Sequence, residues 1–421
     1  MDIFVGVIVG LLVLMALVVA HEFGHFIAAR RNGVNVLEFG IGFPPRAIAW
    51  VKDPKTGKWR KLKRSEWDKT GITKAVGSDK SEKSQAPGLI FSLNWLPIGG
   101  FCQMDGESAE DSRKGTFGNA SFWKKTKILF AGVAMNWLVA FIIFTVLAWA
   151  GMPNFLDGQF TIEADTRVDR TPVEIKEVFE NSPASEAGLK AGDLILKVDD
   201  KEVGSGSEII DINKEKAGEL VQYKIHRKGE EGCNCDRDIE LGVHLNPENS
   251  EYILGVKMES SQSLSYSTWS APIVGAGLTL QLTGETFKGL GQLVWNLISG
   301  IGQQLSFDGA VRESGREAIQ TVGDSVTGPV GIIGVLFPSF TASGASNLAF
   351  LAAVISVSLA CMNVLPVPAL DGGRWLLILI YKLRHKRLTK DIEEKIVARA
   401  FIILLALIVI VTILDITRFF R

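Results

Sequence analysis

Four stretches of this chain stay apolar long enough to cross a bilayer as helices, which takes about 20 residues. They run from Ile3 to about Ala29, Ile128 to Ala150, about Leu348 to Leu370, and Ala400 to about Ile416. Two other runs, "VNVLEFGIGFPPRAIAWV" after the first span and "LIFSLNWLPIGGFCQM" over Leu89–Met104, are rich in β-branched and aromatic residues and punctuated by glycine and proline. That pattern predicts strands paired in a hairpin or small sheet. At membrane depth such backbone must be buried in protein or line a wet cavity. Between the two runs lies a polar, lysine-rich insert, residues 53–86, expected to be a solvated loop.

Beyond the second span the pattern changes. "VEIKEVFENSPASEAGLKAGDLILKVDDKEV", Val173–Val203, reads as a strand, a short helix started at Ser182-Pro183-Ala184, turns at Gly188 and Gly192, and a second strand. "ELVQYKIHRKG" and "RDIELGVHL" add two strands joined by a turn. Together they predict a compact α/β module. From about Ser270 to Gly300, apolar and small residues alternate as in an amphipathic helix, and the glycine-rich "TGPVGIIG" leads towards the third span. The expected organisation is residues 1–150, with two spans, the strand region and the insert; 160–260, the α/β module; and 270–421, with the amphipathic helix and two spans.

Charge adds a topology. Of 421 residues 47% are hydrophobic and the net charge is only −1, but the signs are segregated. Arg46–Lys83 holds twelve Lys/Arg against five Asp/Glu, and Tyr381–Arg399 is also basic. Gly151–Ser270 reverses the balance, with 24 Asp/Glu against 13 Lys/Arg. Basic connections near membrane ends stay in the cytoplasm. Both termini and the α/β module are therefore expected outside. The first span is expected to be a retained helix rather than a leader, since Asp2 precedes it without Lys or Arg and no small-residue cleavage site follows. Four scattered cysteines, Cys102, Cys233, Cys235 and Cys361, make no disulfide framework; Cys233 and Cys235 read as loop residues.

The chemistry sits in the first span, in "VVAHEFGHFIAAR". Ionisable groups at bilayer depth are costly, and by default they are functional. His21 and His25, at i and i+4, lie on one helical face and can share a zinc ion. Glu22 lies beside them, where a carboxylate can take a proton from a water the metal acidifies. A catalytic zinc needs a third protein ligand. His226 and His244 belong to the α/β module and His385 to a basic loop, so the candidates are Glu38, Asp371 and Asp415. Asp415 reads as an interfacial charge at a helix end. Asp371, in "NVLPVPALDGG", shares the depth of the histidines and is favoured; Glu38 stays open. Gly372 and Gly373 would permit a sharp turn there, and Pro366 and Pro368 would break the helix before it. Asn363 offers a polar group at depth.

These motifs resemble those of the site-2 proteases, intramembrane zinc metalloproteases, and most of all the bacterial branch regulating the sigma-E envelope stress response. The matching pieces, in order, are "HEFGH", "FGIGF", "LPIGGFCQM", "AGVAMNW", a PDZ-like "SPASEAGLKAGDLI", "GPVGIIG" and "NVLPVPALDGG". They cover nearly the whole chain. The resemblance implies His21, His25 and Asp371 as ligands of one zinc, Glu22 as general base, and Asn136 and Asn363 as polar residues near bound substrate. It implies that the strand runs hold an unwound substrate helix. The chain departs from the usual pattern at Val133 and Arg374, and has one PDZ-like module where some members have two.

The expected fold is a polytopic α-helical membrane protein of about four transmembrane helices, with a membrane-associated β-hairpin or sheet and one extracytoplasmic α/β PDZ-like domain. The expected setting is the bacterial cytoplasmic membrane. The expected partners are single-span membrane proteins such as anti-sigma factors or remnant signal peptides, the lipid bilayer, and a peptide or protein ligand of the PDZ-like module; nucleic acid is not among them. A non-catalytic membrane scaffold would require Glu22 or a ligand to be replaced, and none is. A metal transporter would stage acidic or histidine residues across several spans, whereas this chain has one cluster.

Overall fold

A computed structural model describes residues 3–53, 56–64, 88–107, 111–156, 158–169, 172–204, 206–227, 237–247, 252–259, 264–304, 308–325, 328–386 and 388–419. Most of the lysine-rich insert, and Cys233 and Cys235, lie outside the described residues. Among those described, four helices are long and apolar enough to cross a membrane: Ile3–Arg31, Phe122–Ala150, Ala345–Val364 and Lys390–Thr417. The chain divides into two compact units. One comprises Met1–Thr145 with Gly275–Arg421, the other Val146–Val274.

In the first unit, helix α1 (Ile3–Arg31) is followed by strands β1 (Val36–Lys52), β2 (Trp59–Lys61) and β3 (Ile90–Met104), then α2 (Phe122–Ala150). β1 and β3 each fold back on themselves. Phe39 faces both Phe91 and Cys102, and Ile41 faces both Leu93 and Gly100, so the first half of β1 lies between two arms of β3. The second half of β1, Ile48–Val51, returns along Leu93–Ile90. The bend brings Glu38 to Arg46, whose Nε donates to Glu38 Oε1 at 3.0 Å, and both side chains are buried. At Gly99 and Gly100 the C-terminal arm of β3 lies close against Val18 and Val19 of α1, so the sheet is seated one turn from the histidines.

The second unit contributes a six-stranded antiparallel sheet built from β6 (Val173–Val178), β7 (Leu194–Val198), β8 (Lys201–Glu202), β9 (Leu220–Arg227), β10 (Arg237–His244) and β11 (Val256–Glu259). Its order is β10-β9-β7-β6-β11, with β8 on β7. Residues two apart point to one face of a strand, and Val221, Tyr223 and Ile225 of β9 accordingly join Val173, Ile175 and Ile195 in one buried core. The helices are α3 (Pro183–Glu186) and α4 (Gly206–Glu215). Ser182 starts α3 by accepting the N–H of Ser185, and Gly188 and Gly192 supply positive φ at the turns. Strands β6, β7, β9 and β10 and helix α3 coincide with elements read from the sequence, whereas α4 is a helix the sequence reading did not include. A second, three-stranded sheet has the order β4-β12-β5, from Met152–Pro153, Leu264–Tyr266 and Arg167–Asp169.

Helix α5 (Ala271–Gln304) realises the predicted amphipathic segment, and α6 (Gly309–Ser325) follows. The "GPVGIIG" block opens α7, a helix over Pro329–Ala342 that is π-helical across Ile332–Leu336. It packs tightly on α1: a Cβ on Gly6 would meet Pro338 Cα at 2.4 Å, and one on Gly10 the Phe337 ring at 2.6 Å. The third span differs from the sequence expectation. Helix α8 (Ala345–Val364) stops before Pro366 and Pro368, and residues 365–370 form a non-helical link to α9 (Asp371–Leu383). Helix α10 (Lys390–Phe419) closes the chain.

Asp415, near the end of α10, is not a free charge at a helix end. It is buried, and its two carboxylate oxygens accept the N–H groups of Gly328 at 3.1 Å and Gly331 at 3.0 Å, capping α7 from another segment. Asp415→Ala should leave both donors buried and unpaired, at about 1–3 kcal/mol each. Thermal unfolding of the detergent-solubilised protein should show a clear fall in Tm, smaller for Asp415→Asn, which keeps one acceptor; an unchanged Tm for Asp415→Ala would rule out the cap.

Candidate active site

His21 and His25 share one face of α1, as the i, i+4 spacing requires, and both are buried. Asp371 is the first residue of α9. The Nε2 atoms of the histidines lie 3.1 Å apart, and Asp371 Oδ2 lies 3.0 Å from His21 Nε2 and 3.2 Å from His25 Nε2. Among the described residues these three form the group of side chains that could hold a metal ion. Tetrahedral zinc with bonds of ~2.0–2.1 Å holds its ligand atoms ~3.3 Å apart, close to the triangle seen here. Two imidazoles and a carboxylate are also an established donor set for catalytic zinc.

The surroundings fit an ion as well. His25 Nδ1 lies 2.8 Å from the carbonyl of Ile128 on α2. With the proton on Nδ1 donated to that carbonyl, the lone pair of Nε2 faces the triangle. Gly132, one turn further along α2, stands directly over the site. A Cβ built there would lie 2.5 Å from His21 Nε2 and 2.6 Å from His25 Nε2, between the two rings. The absence of a side chain at Gly132 thus leaves room for one more atom among the donors. Gly24, inside the "HEFGH" turn, lets α2 approach: its Cβ would meet the Ala131 carbonyl oxygen at 2.3 Å. Neither glycine bears chemistry, so a search for chemistry-bearing residues passes over both. Their available signal is the small residue that lets membrane helices approach closely.

The link before α9 is shaped in the same way. Gly372 and Gly373 do not make a sharp turn by positive φ; both lie in the first turn of α9. A Cβ on Gly372 would meet the Val364 carbonyl oxygen at 2.1 Å, and one on Gly373 that of Val367 at 2.0 Å. Close backbone approach, not turn geometry, requires glycine there, and it is what brings Asp371 back to the histidines.

Glu22 is half-buried and lies beside the backbone of Cys102 on β3. Glu38 is engaged by Arg46 and is not part of the cluster. Asn136 is fully buried on α2, with its Nδ2 3.4 Å from His21 Nδ1. Asn363, on α8, donates to the Leu359 carbonyl one turn back at 2.9 Å. His226 pairs with Asp238 in the second unit at 2.9 Å, and His385 lies just past the end of α9. Beside Asp371 opens a cavity of about 1010 Å³, whose lining includes Gln103, Glu107, Arg374, Lys390 and Glu393. Arg374, the departure noted in the sequence, donates from Nε to Glu393 Oε1 at 3.1 Å and so ties α9 to α10.

A membrane-length helix carrying two buried histidines and a glutamate, with the half-buried Asp371 brought beside them, defines a membrane metalloprotease. The sequence profile described as Peptidase family M50 matches residues 9–60 and 80–408, and the chain belongs to that family, the site-2 proteases. The regulator of sigma-W protease RasP of Bacillus subtilis is 24% identical over 99% of this chain and 100% of its own length. The zinc metalloprotease RasP of Oceanobacillus iheyensis is 25% identical over 98% and 99%. An Enterococcus faecalis protein named "Probable protease eep" is 28% identical over 98% and 99%. These relatives agree with the branch indicated by the sequence motifs. Among solved structures, a PDZ domain from Listeria monocytogenes covers 22% of this chain and 92% of its own at 24% identity, with a TM-score of 0.18, too low to argue a shared fold.

Proposed function

We propose that this protein is an intramembrane zinc metalloprotease that hydrolyses peptide bonds within or near the transmembrane helices of single-span membrane proteins. The observation that carries the reading is the convergence of His21, His25 and Asp371 within one unit whose helices are long and apolar enough to span a bilayer. In this reading those three residues hold one zinc per chain. Bound there, zinc supplies Lewis acidity, lowering the pKa of a water towards 7 and polarising the scissile carbonyl. Glu22 accepts the proton of the attacking water and delivers it to the leaving amine nitrogen. The cavity beside Asp371 gives water a route to a site flanked by apolar helices.

A peptide bond inside a helix is shielded by its own hydrogen bonds, so the substrate must first be extended. The arm Gly100–Met104 of β3 suits that task, since an unwound segment can add to a sheet edge by backbone pairing. The Cys102 backbone beside Glu22 sets that arm next to the base. Asn136 and Asn363 are the polar residues proposed to lie near bound substrate. Substrates of this kind include anti-sigma factors and remnant signal peptides. The basic connections support a site near the cytoplasmic face of a bacterial inner membrane with the PDZ-like module outside, where in this reading it binds a chain end or screens bulky ectodomains.

The test is digestion of a purified single-span substrate in detergent, with the product ends mapped by mass spectrometry. Zinc-dependent cuts inside or at the margin of the apolar span are expected. Cuts confined to the soluble domains, or cleavage unchanged by a zinc chelator, would overturn the reading.

A further inference from the structure

His25 and His21 are held differently. The Nδ1 of His25 faces a backbone carbonyl, whereas the Nδ1 of His21 faces the side chain of Asn136. Asn136 is 0% exposed, and its Oδ1 is buried with no hydrogen-bond partner among the described residues. An imidazole that offers the lone pair of Nε2 to a metal carries its proton on Nδ1, where it is a donor. An amide NH2 is also a donor, so the pair at 3.4 Å makes no bond in that arrangement. The two ends of a carboxamide are nearly equal in size. A half-turn about Cβ–Cγ sets Oδ1 against Nδ1–H, giving that acceptor a donor and that donor an acceptor.

We propose that Asn136 is the positioning residue of His21: its carboxamide oxygen accepts the Nδ1–H and holds the ring with Nε2 turned into the site. This rests on the reading that His21, His25 and Asp371 bind a metal, and gives Asn136 a task separate from contact with substrate. The fold places it for this. Asn136 lies one turn beyond Gly132 on α2, so both face α1. The buried hydroxyl of Ser356 on α8 donates to the Asn136 backbone carbonyl at 2.9 Å, pinning α2 at that residue. Partners of this kind are worth about 10–100-fold in metal affinity.

The test is the zinc dissociation constant of the full chain in detergent, by competition with a chromophoric chelator, for wild type, Asn136→Leu and Asn136→Asp. Leucine keeps the volume and removes the acceptor; aspartate keeps the acceptor and removes the donor. Asn136→Leu should bind zinc about 10–100-fold more weakly, and Asn136→Asp at least as tightly as wild type. Wild-type affinity in Asn136→Leu, or equal weakening in both variants, would overturn the positioning role while leaving the metal site standing. A wild type that binds no zinc would overturn the metal reading, and this inference with it.

Discussion

Gly132→Ala should abolish zinc binding while leaving the protein folded. The added methyl would lie 2.5–2.6 Å from the Nε2 atoms of His21 and His25, too close for either ring to stay where it is and offer its lone pair to an ion. The rings cannot easily retreat, because His25 is held at Ile128 O and His21 is packed against Asn136. Alanine is the better helix former by about 0.5–1 kcal/mol, so the substitution does not weaken α2 itself. Purified Gly132→Ala should carry at least tenfold less zinc than wild type, by elemental analysis, with an unchanged circular dichroism spectrum. Stoichiometric zinc in this variant would show that the ion does not sit beneath Gly132.

Glu22→Gln should have the opposite signature, with zinc kept and cleavage lost. Glutamine matches glutamate in size but cannot accept the proton of the attacking water. General acid–base catalysis contributes about 10²–10⁴-fold, and a loss in that range is expected. Glu22 is not one of the three converging donors, so metal content should stay at the wild-type level. The comparison is a single-span reporter assay run beside zinc analysis on the same preparations. Near-normal cleavage by Glu22→Gln would remove Glu22 from the chemistry.

What could be read from the sequence divides by range. The His21–His25 pair needed only helical periodicity, which is local, and the four spans needed only length and apolarity. The strand runs were legible from composition, but the double fold-back that puts Phe39 between Phe91 and Cys102 was not. That fold-back decides the fate of Glu38, because the bend of β1 returns Arg46 to it; from sequence alone Glu38 stayed open as a third ligand. Asp371, 350 residues from His21, was favoured only through its depth in the membrane and the family resemblance. The cap made by Asp415 is not legible in the sequence, because its partners, Gly328 and Gly331, are backbone donors at a distant helix start and no side-chain motif announces them. The glycines at 24, 132, 372 and 373 are explained by what lies against them, which only the packed structure reveals.

The most direct test of the central claim is the zinc content of purified Asp371→Ala beside wild type. Wild type should hold one zinc per chain. The variant should lose it, since two imidazoles and no carboxylate leave the donor set incomplete. An Asp371→Ala protein that retains its zinc would contradict the assignment of His21, His25 and Asp371 as the metal centre.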